Sequence, residues 1–284
     1  MEKPIVLITG ASSGFGLLTA VEYVKKGYFV VATMRDLQKR LHVLQELNDR
    51  TLEDNFLFCK LDVTNAKSLT ELHDTLQNLG RVDILLNNAG FAMGGFAEEI
   101  TIEEYKSQFE TNFFGLIEAT RLVLPHMRRR GSGTIINISS ISGQIGFPGL
   151  SPYVASKYAL EGWSESLQLE VRPFGINVAL IEPGSYQTNI WSSGKKIAKR
   201  SILTTSPYYE MMKKIEKRLE KGQSTYGDPL EVARFIVKLT EKPSLPKLRY
   251  PVGKNTRISI FLKTVLPWRL WERIVFRMLG VTRR

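Results

Sequence analysis

The sequence predicts an α/β fold: one doubly wound parallel sheet of about seven strands with helices on both faces. Three observations predict it. Short apolar runs alternate strictly with amphipathic segments of helical period over residues 5–182, and such alternation with short loops builds a parallel sheet covered on both sides. A glycine-rich turn directly follows the first apolar run, where folds of this class bind nucleotides. No composition break, long linker or internal repeat divides the 284 residues, which at 43% hydrophobic suffice for one large core. The whole chain, 1–284, therefore reads as a single domain.

The elements follow in order. Ile5 to Thr9 is a continuous apolar run, suited to a strand buried on both faces. Gly14 to Lys26 reads as a helix with Leu17, Leu18, Val21 and Val24 inward, stopped by Gly27. Next come a strand at 28–33, a helix at about 37–49, a strand at 56–61, a helix at 65–79 and a strand at 82–87. A long helix is expected over 101–130, adjusted around Gly115 and Pro125. A strand at 133–139, a helix at 152–171 and a strand at 176–182 complete the alternation. Residues 185–225 depart from it, being rich in Ser, Lys, Thr and Tyr around a basic helical piece, Tyr208 to Lys221. Following the sixth strand, this insertion would lie over the C-terminal edge of the sheet, so it reads as a lid.

Net charge is +11, and it is uneven: Arg249 to Arg284 holds nine basic residues and one acidic, Lys195 to Lys221 nine and three. No recognition motif for nucleic acid accompanies these charges. In the basic extension, about 255–284, Pro267 opens a helical pattern and Gly280 closes it. Leu270, Trp271, Ile274, Val275, Met278 and Leu279 form one stripe, opposite Arg269, Arg273 and Arg277. Packing of that stripe on its own domain is favoured, with membrane-surface or partner contact as the alternative. Cys59 is the lone cysteine, in an apolar run, which fits a structural thiol and a reducing compartment. His42, His73 and His126 fall in amphipathic segments without ligand-like spacing, so they read as surface residues and no metal site is expected. With no charged-then-apolar leader and no run near ~18 apolar residues, a cytoplasmic location is expected.

Thr9-Gly10-Ala11-Ser12-Ser13-Gly14-Phe15-Gly16 joins the first strand to its helix. Glycines at this place let backbone approach a pyrophosphate that rests on the helix N-terminus; a mere tight turn is the bland alternative. Tyr153 and Lys157 are four residues apart on a predicted helix, thus on one face, with Ser140 thirteen residues before Tyr153. Such a pair on any solvated helix means little, but a cation beside a phenol can bring a pKa near 10 toward the working range.

These features, with Asn87-Asn88-Ala89-Gly90 after the fourth strand and Pro183-Gly184 after the sixth, resemble the short-chain dehydrogenase/reductases, over about residues 4 to 241. The wider pattern, including Ala32-Thr33-Met34-Arg35-Asp36 and the basic tail, is similar to the branch of 17β-hydroxysteroid and retinol dehydrogenases. The resemblance implies a Rossmann-like fold and an oxidoreductase. It implies that Tyr153 is the proton donor or acceptor, that Lys157 holds the nicotinamide ribose and depresses the Tyr153 pKa, and that Ser140, rather than Ser139 or Ser142, bonds the substrate oxygen. Asn112 resembles the asparagine that kinks the long helix and supports a water-linked proton relay. Cofactor contacts are implied for Gly10, Ser12, Ser13, Gly14, Phe15, Gly16, Asp62, Val63, Asn88, Ala89, Gly90, Pro183, Gly184 and Thr188. Asp62 also reads as a cap for the helix starting at Asn65.

At the end of the second strand Met34 stands where an NAD site usually has an acid, and Arg35 follows. An apolar residue leaves room for a 2′-phosphate, which a guanidinium can pair bidentately, and Ser12 can donate to it. NADP(H) is therefore favoured. A strand ending two residues later would make Asp36 the ribose acid and the cofactor NAD(H). Phe91, Met93, Phe96, Ile145, Phe147, Leu150, Tyr186 and Trp191 are expected around the substrate, whose apolar walls suit a hydrophobic ketone or secondary alcohol. The leading expectation is an NADP(H)-dependent alcohol dehydrogenase or carbonyl reductase. The alternatives are a catalytically silent dinucleotide sensor or scaffold, and a membrane-surface protein acting through its tail. Homo-oligomers through the helices of Asn112 and Tyr153 are implied by the resemblance.

Overall fold

The computed structural model describes residues 3–191 and 194–279; the Trp191 side chain and Gly280 lie outside them. Strand β1 (Ile5–Thr9) leads through helix α1 (Gly14–Lys25) to β2 (Phe29–Met34), then α2 (Arg40–Leu47) and β3 (Phe56–Lys60). Helix α3 (Ala66–Leu79) returns the chain to β4 (Ile84–Asn87), followed by the short β5 (Ala92–Gly94). Helix α4 (Ile102–Phe109) and α5 (Gly115–Arg130) precede β6 (Gly133–Ile138), α6 (Ser151–Val171) and β7 (Ile176–Pro183). The remainder comprises β8 (Lys195–Ile197), α7 (Tyr209–Gly222), α8 (Pro229–Thr240), β9 (Arg249–Val252), α9 (Thr256–Val265) and α10 (Trp268–Leu279).

Seven parallel strands lie in the order β3-β2-β1-β4-β6-β7-β9. Successive residues of a strand face opposite sides, so Val6 and Ile8 enter one core while Leu7 enters the other. Leu17, Val21 and Val24 of α1 pack with Val43 of α2 and Ile236 of α8 on the first face. Leu72 of α3, Val123 and Met127 of α5 and Leu167 of α6 cover the second. Because the chain winds outward from β1 through β2 and β3 and then resumes at β4 on the other side, β1 and β4 are neighbours at a switch point, with Thr9 opposite Asn87. Their C-terminal ends open the crevice where such sheets bind ligands.

Three departures from the expected elements have physical causes. The helix expected over 101–130 is two helices joined by one π-helical turn, Glu110–Phe114, after a capping box in which Thr101 and Glu104 bond each other's backbone. The last sheet strand, β9, is only four residues long and carries Pro251, tolerable because it lies at the sheet edge. His126 is buried, contrary to its surface reading, since the α5 face it shares with Met127 lies over the second core; its Nδ1 meets Arg129 Nη2 at 3.3 Å. Cys59 is half-buried on edge strand β3, and burial pushes its thiol pKa up. The insertion at 185–225 is tied down by β8, which pairs in parallel with β5, and α7 begins one residue beyond the helical piece expected at Tyr208. Among the described residues no helix is long and apolar enough to cross a membrane, and no three His, Cys, Asp or Glu side chains are placed to hold a metal ion.

Candidate active site

A cleft of about 850 Å³ runs along the switch point. At one end lies the turn after β1. Gly10 and Gly14 there have φ of +71° and +56°, which glycine alone adopts at little cost. A Cβ on Gly16 would fall 2.4 Å from Asn88 Nδ2 and 2.5 Å from the Gly10 carbonyl oxygen. Asn88 causes that closeness: its Nδ2 donates to Thr9 O at 3.1 Å and Gly10 O at 2.8 Å, lacing β4 to the turn. The N-cap residue of α1, Ser13, makes no side-chain cap bond, so the helix leaves N–H groups toward the cleft for an anion. Phe15 packs edge-on against Tyr186, ring centroids 5.6 Å apart, and Thr188 lines the cleft beside Gly14 with Pro183 and Gly184.

The end of β2 bears on the two readings of the ribose site. The strand stops at Met34, and Asp36 accepts from Gln38 N at 3.0 Å, capping a short 3₁₀ turn. Met34 and Arg35 line the cleft together with Ser12, Lys39 and His42. Asp62, Val63 and Ala89 form the adjoining wall. Burial works to raise the Asp62 pKa, but bonds from the Thr64 N–H and hydroxyl, with Arg35 nearby, hold it below the ordinary carboxylate range. Asp62 thus ties the β3–α3 loop, while Asn65 caps α3 by accepting from Ser68 N at 3.0 Å. Lys39 and His42 were not foreseen as cleft residues, because only the turn after Asp36 swings them toward it.

At the other end stand Ser140, Tyr153 and Lys157, all buried. Ser140 lies two residues past β6 and caps the next turn by accepting from Ser142 N at 3.1 Å. Its side chain also hydrogen-bonds the Tyr153 hydroxyl. Lys157 Nζ donates to Ile138 O at 2.7 Å and lies 5.8 Å from the Tyr153 ring centroid. Burial pushes the phenol up to about 12, with Ser140 opposing, and pushes the Lys157 ammonium down to about 8, with Glu161 opposing. The expected lowering of the phenol by Lys157 is therefore not what this arrangement has: the ammonium is bonded to the β6 carbonyl, and desolvation governs the ring. Asn112 sits at the centre of the π-helical turn and exchanges two bonds with Phe91 backbone, at 3.0 and 3.1 Å. Gly90 packs on the same amide.

Glu161, one turn past Lys157, was missed. It accepts from Ser139 Oγ at 2.5 Å and from Arg249 Nε at 2.9 Å, and Gln144 Nε2 bridges it to Glu182. This occupies Ser139, leaving Ser140 to meet Tyr153. The i, i+4 spacing of Lys157 and Glu161 was the only sequence signal. Burial first, and then the Glu161 charge, raise Glu182 to about 7. A folded-state pKa above the ordinary value of about 4.3 means that stability is full below that value and falls as pH rises toward 7. Glu182→Gln is expected to flatten this decline, raising the melting temperature at pH 7.5 relative to wild type by on the order of 5 °C and much less at pH 4.5. Calorimetry at the two pH values checks it; equal shifts at both would contradict it.

Of the aromatic and aliphatic groups expected around the substrate, Phe91 and Tyr186 line the cleft. Met93, Phe96 and Ile145 are instead core residues, Phe96 stacked on Tyr208 at 4.4 Å. Leu150 sits behind, bridged to Gly95. Phe147 lines a second, apolar groove of about 610 Å³ with Val154, Trp268, Trp271 and Val275. Ile190, Gly194 and Lys196 of the 185–225 segment wall the cleft.

The uncapped α1 terminus, the cradle at Gly10 and Gly16, and the basic pocket of Arg35 and Lys39 fit a nicotinamide dinucleotide. Residues 4–197 match the short chain dehydrogenase family. The chain is 44% identical to an uncharacterized oxidoreductase, YusZ, of Bacillus subtilis, over 98% of this chain and 99% of that one. It is 37% identical to a 3-ketodihydrosphingosine reductase of Bacteroides thetaiotaomicron, over 93% of each. The solved structure of ElxO with NADP bound superposes with a TM-score of 0.74 at 26% identity, over 90% of this chain and 100% of that one.

Proposed function

The chain belongs to the short-chain dehydrogenase family, as an oxidoreductase acting on CH–OH donors with a nicotinamide dinucleotide, and from that premise we propose an NADP(H)-dependent reductase of hydrophobic ketones. The observation that carries this reading is the buried contact of Ser140 with Tyr153, with Lys157 one turn on, at the end of the cleft opposite the basic pocket. The bound cofactor supplies the hydride. Tyr153 delivers the proton to the carbonyl oxygen, and the Ser140 hydroxyl bonds the same oxygen, fixing it within reach of that proton. Lys157 holds ribose hydroxyls and, through its bond to Ile138, keeps the α6 turn against β6. The Asn112 amide holds the Phe91 backbone beside the cleft. Burial raises the phenol pKa, so Tyr153 is neutral at ordinary pH and suited to donate a proton in reduction; alcohol oxidation is the reverse.

Substrate class follows from the walls. Phe91 in the cleft and the apolar groove along Phe147 and Val154 fit a bulky apolar ketone, and the reductase of a keto compound among the relatives supports that class. NADP preference rests on Arg35, Lys39 and Ser12 around Met34, with Asp36 turned to its own cap. The lid reading of 185–225 is supported by Ile190 and Lys196 in the cleft wall. Exposed Phe114 at the start of α5 and Leu169 on α6 support assembly of copies through those helices. A cytoplasmic setting agrees with a single thiol and with the absence, among the described residues, of a spanning helix.

A panel of aliphatic, aromatic and steroid ketones, assayed with NADPH and NADH side by side, tests the activity. Turnover of apolar ketones with NADPH is expected, and none with any member would sink the proposal. Arg35→Glu puts a carboxylate where the 2′-phosphate is to be paired. The kcat/KM ratio of NADPH to NADH should fall by about 10- to 100-fold, equivalent to the loss of one charge-assisted bidentate contact. An unchanged ratio would return the ribose site to the NAD reading.

A further inference from the structure

Helix α9 presents its apolar stripe to solvent. Ile258, Phe261, Leu262 and Val265 are spaced i, i+3, i+4, i+7, which places them on one face, and they are between 38% and 64% exposed. A stripe of that spacing is normally the buried side of a helix. Past Pro267 the surface continues with Trp268, Leu270 and Met278, all exposed, whereas Trp271 of α10 turns inward. The sequence reading of α10 as a helix packed on its own domain therefore holds for the buried Trp271 and the half-buried Ile274, Val275 and Leu279, and leaves Leu270 and Met278 outside. The same segment is strongly basic, with Lys254, Arg257, Lys263, Arg269, Arg273 and Arg277 against one acid, Glu272. Lys263 Nζ stands 5.6 Å from the Trp268 ring centroid, so charge and aromatic surface are adjacent.

We propose that the α9–α10 pair docks this protein on an anionic lipid surface. The charge selects that occupant. A second copy laid face to face would set the same row of cations against itself with one carboxylate per chain to compensate, which is repulsive. Anionic lipid offers the opposite sign at the headgroups and an apolar layer beneath for Phe261, Val265 and Trp268, and aromatic side chains settle at that boundary. Neither helix is long enough to cross, so the contact is peripheral. Trp268 belongs both to this surface and to the apolar groove, whose other wall, Phe147 and Pro148, is in the loop joining Ser140 to Tyr153. A docked molecule thus holds that groove at the lipid boundary.

The test is flotation of the full chain with vesicles of phosphatidylcholine alone and of an equimolar mixture with phosphatidylglycerol. Two variants accompany it: Phe261→Ser with Val265→Ser, and Arg269→Glu with Arg273→Glu and Arg277→Glu. All five side chains lie away from the cleft, so both variants should reduce a water-soluble ketone as wild type does, which separates this result from any failure of the activity itself. Wild type should float with the mixed vesicles at least about tenfold more than with phosphatidylcholine, less so at high salt, and each variant should lose that excess. Equal flotation with both vesicle types, no flotation, or full flotation of either variant overturns the proposal. So does sedimentation showing that the serine variant dissociates an assembly while vesicle binding persists, which would make the surface a contact between copies.

Discussion

Tyr153→Phe is expected to lower kcat for ketone reduction by about 10²- to 10⁴-fold, the range of a positioned proton donor. The ring is buried, and phenylalanine fills the same space, so the loss is confined to one hydroxyl. Ser140 keeps its bond from Ser142 N, which holds its backbone where it is. NADPH affinity, set at the turn after β1 and by Lys157, should stay within about twofold, so the effect falls on kcat with little on cofactor binding. Steady-state kinetics and a fluorescence titration of NADPH measure the two separately. A variant retaining a fifth or more of wild-type kcat would show that the proton comes from elsewhere, with a silent cofactor-binding protein left as the reading if wild type is equally slow. The pH profile adds a second check. With the phenol neutral up to about 12 and Lys157 losing its charge near 8, wild-type kcat/KM for reduction should be level through neutral pH and decline above 8, following the lysine that must be protonated to hold ribose oxygens.

What was readable in advance, and what was not, divides along the range of the interactions. The turn from Gly10 to Gly16 and the Tyr153–Lys157 pair are local patterns whose geometry follows from a strand end and a helical period. Asn112 was legible only through the family resemblance, and the π-helical turn with two bonds to Phe91 is how its buried amide is satisfied. Glu161 and Glu182 meet only because α6 packs against β7, and no pattern in either segment announces their approach. Strand β9 escaped because four residues around a proline carry little periodicity. The stripe of α9 went unremarked, and that of α10 was assigned to the core by the usual rule. For α9 the usual rule fails, since it lies at the rim with its apolar side outward, whereas most of the α10 stripe is buried or half-buried. The direction of the Tyr153 shift was misjudged for a related reason: sequence shows which charges are near in the chain, but not how far water is excluded from the hydroxyl.

Gly16→Ala tests the architecture that holds the cofactor, and its expected effect is the larger on binding. The added methyl would sit 2.4 Å from Asn88 Nδ2 and 2.5 Å from Gly10 O, and the second of these is backbone that cannot rotate away. Relief requires α1 to shift from β4 or Asn88 to give up its bonds to Thr9 and Gly10, and either change opens the turn on which the pyrophosphate would rest. Overpacking of this kind costs about 1–3 kcal/mol of stability, and displacement of the N–H groups at the α1 terminus should weaken NADPH binding by about 100-fold, equivalent to roughly 2.7 kcal/mol. Two controls isolate the cause. Gly80→Ala carries a positive φ, +67°, that Gly16 does not have, and meets nothing within 4 Å; from backbone strain alone it should cost about 1 kcal/mol and leave NADPH binding unchanged. Gly14→Ala has φ +56° with Thr188 at an ordinary 3.6 Å, so its stability cost should match Gly80→Ala. If Gly16→Ala bound NADPH like wild type, the close lacing of Asn88 to the turn would not be what shapes the cofactor site, and the fit of a dinucleotide there would have to rest on Arg35 and Lys39 alone.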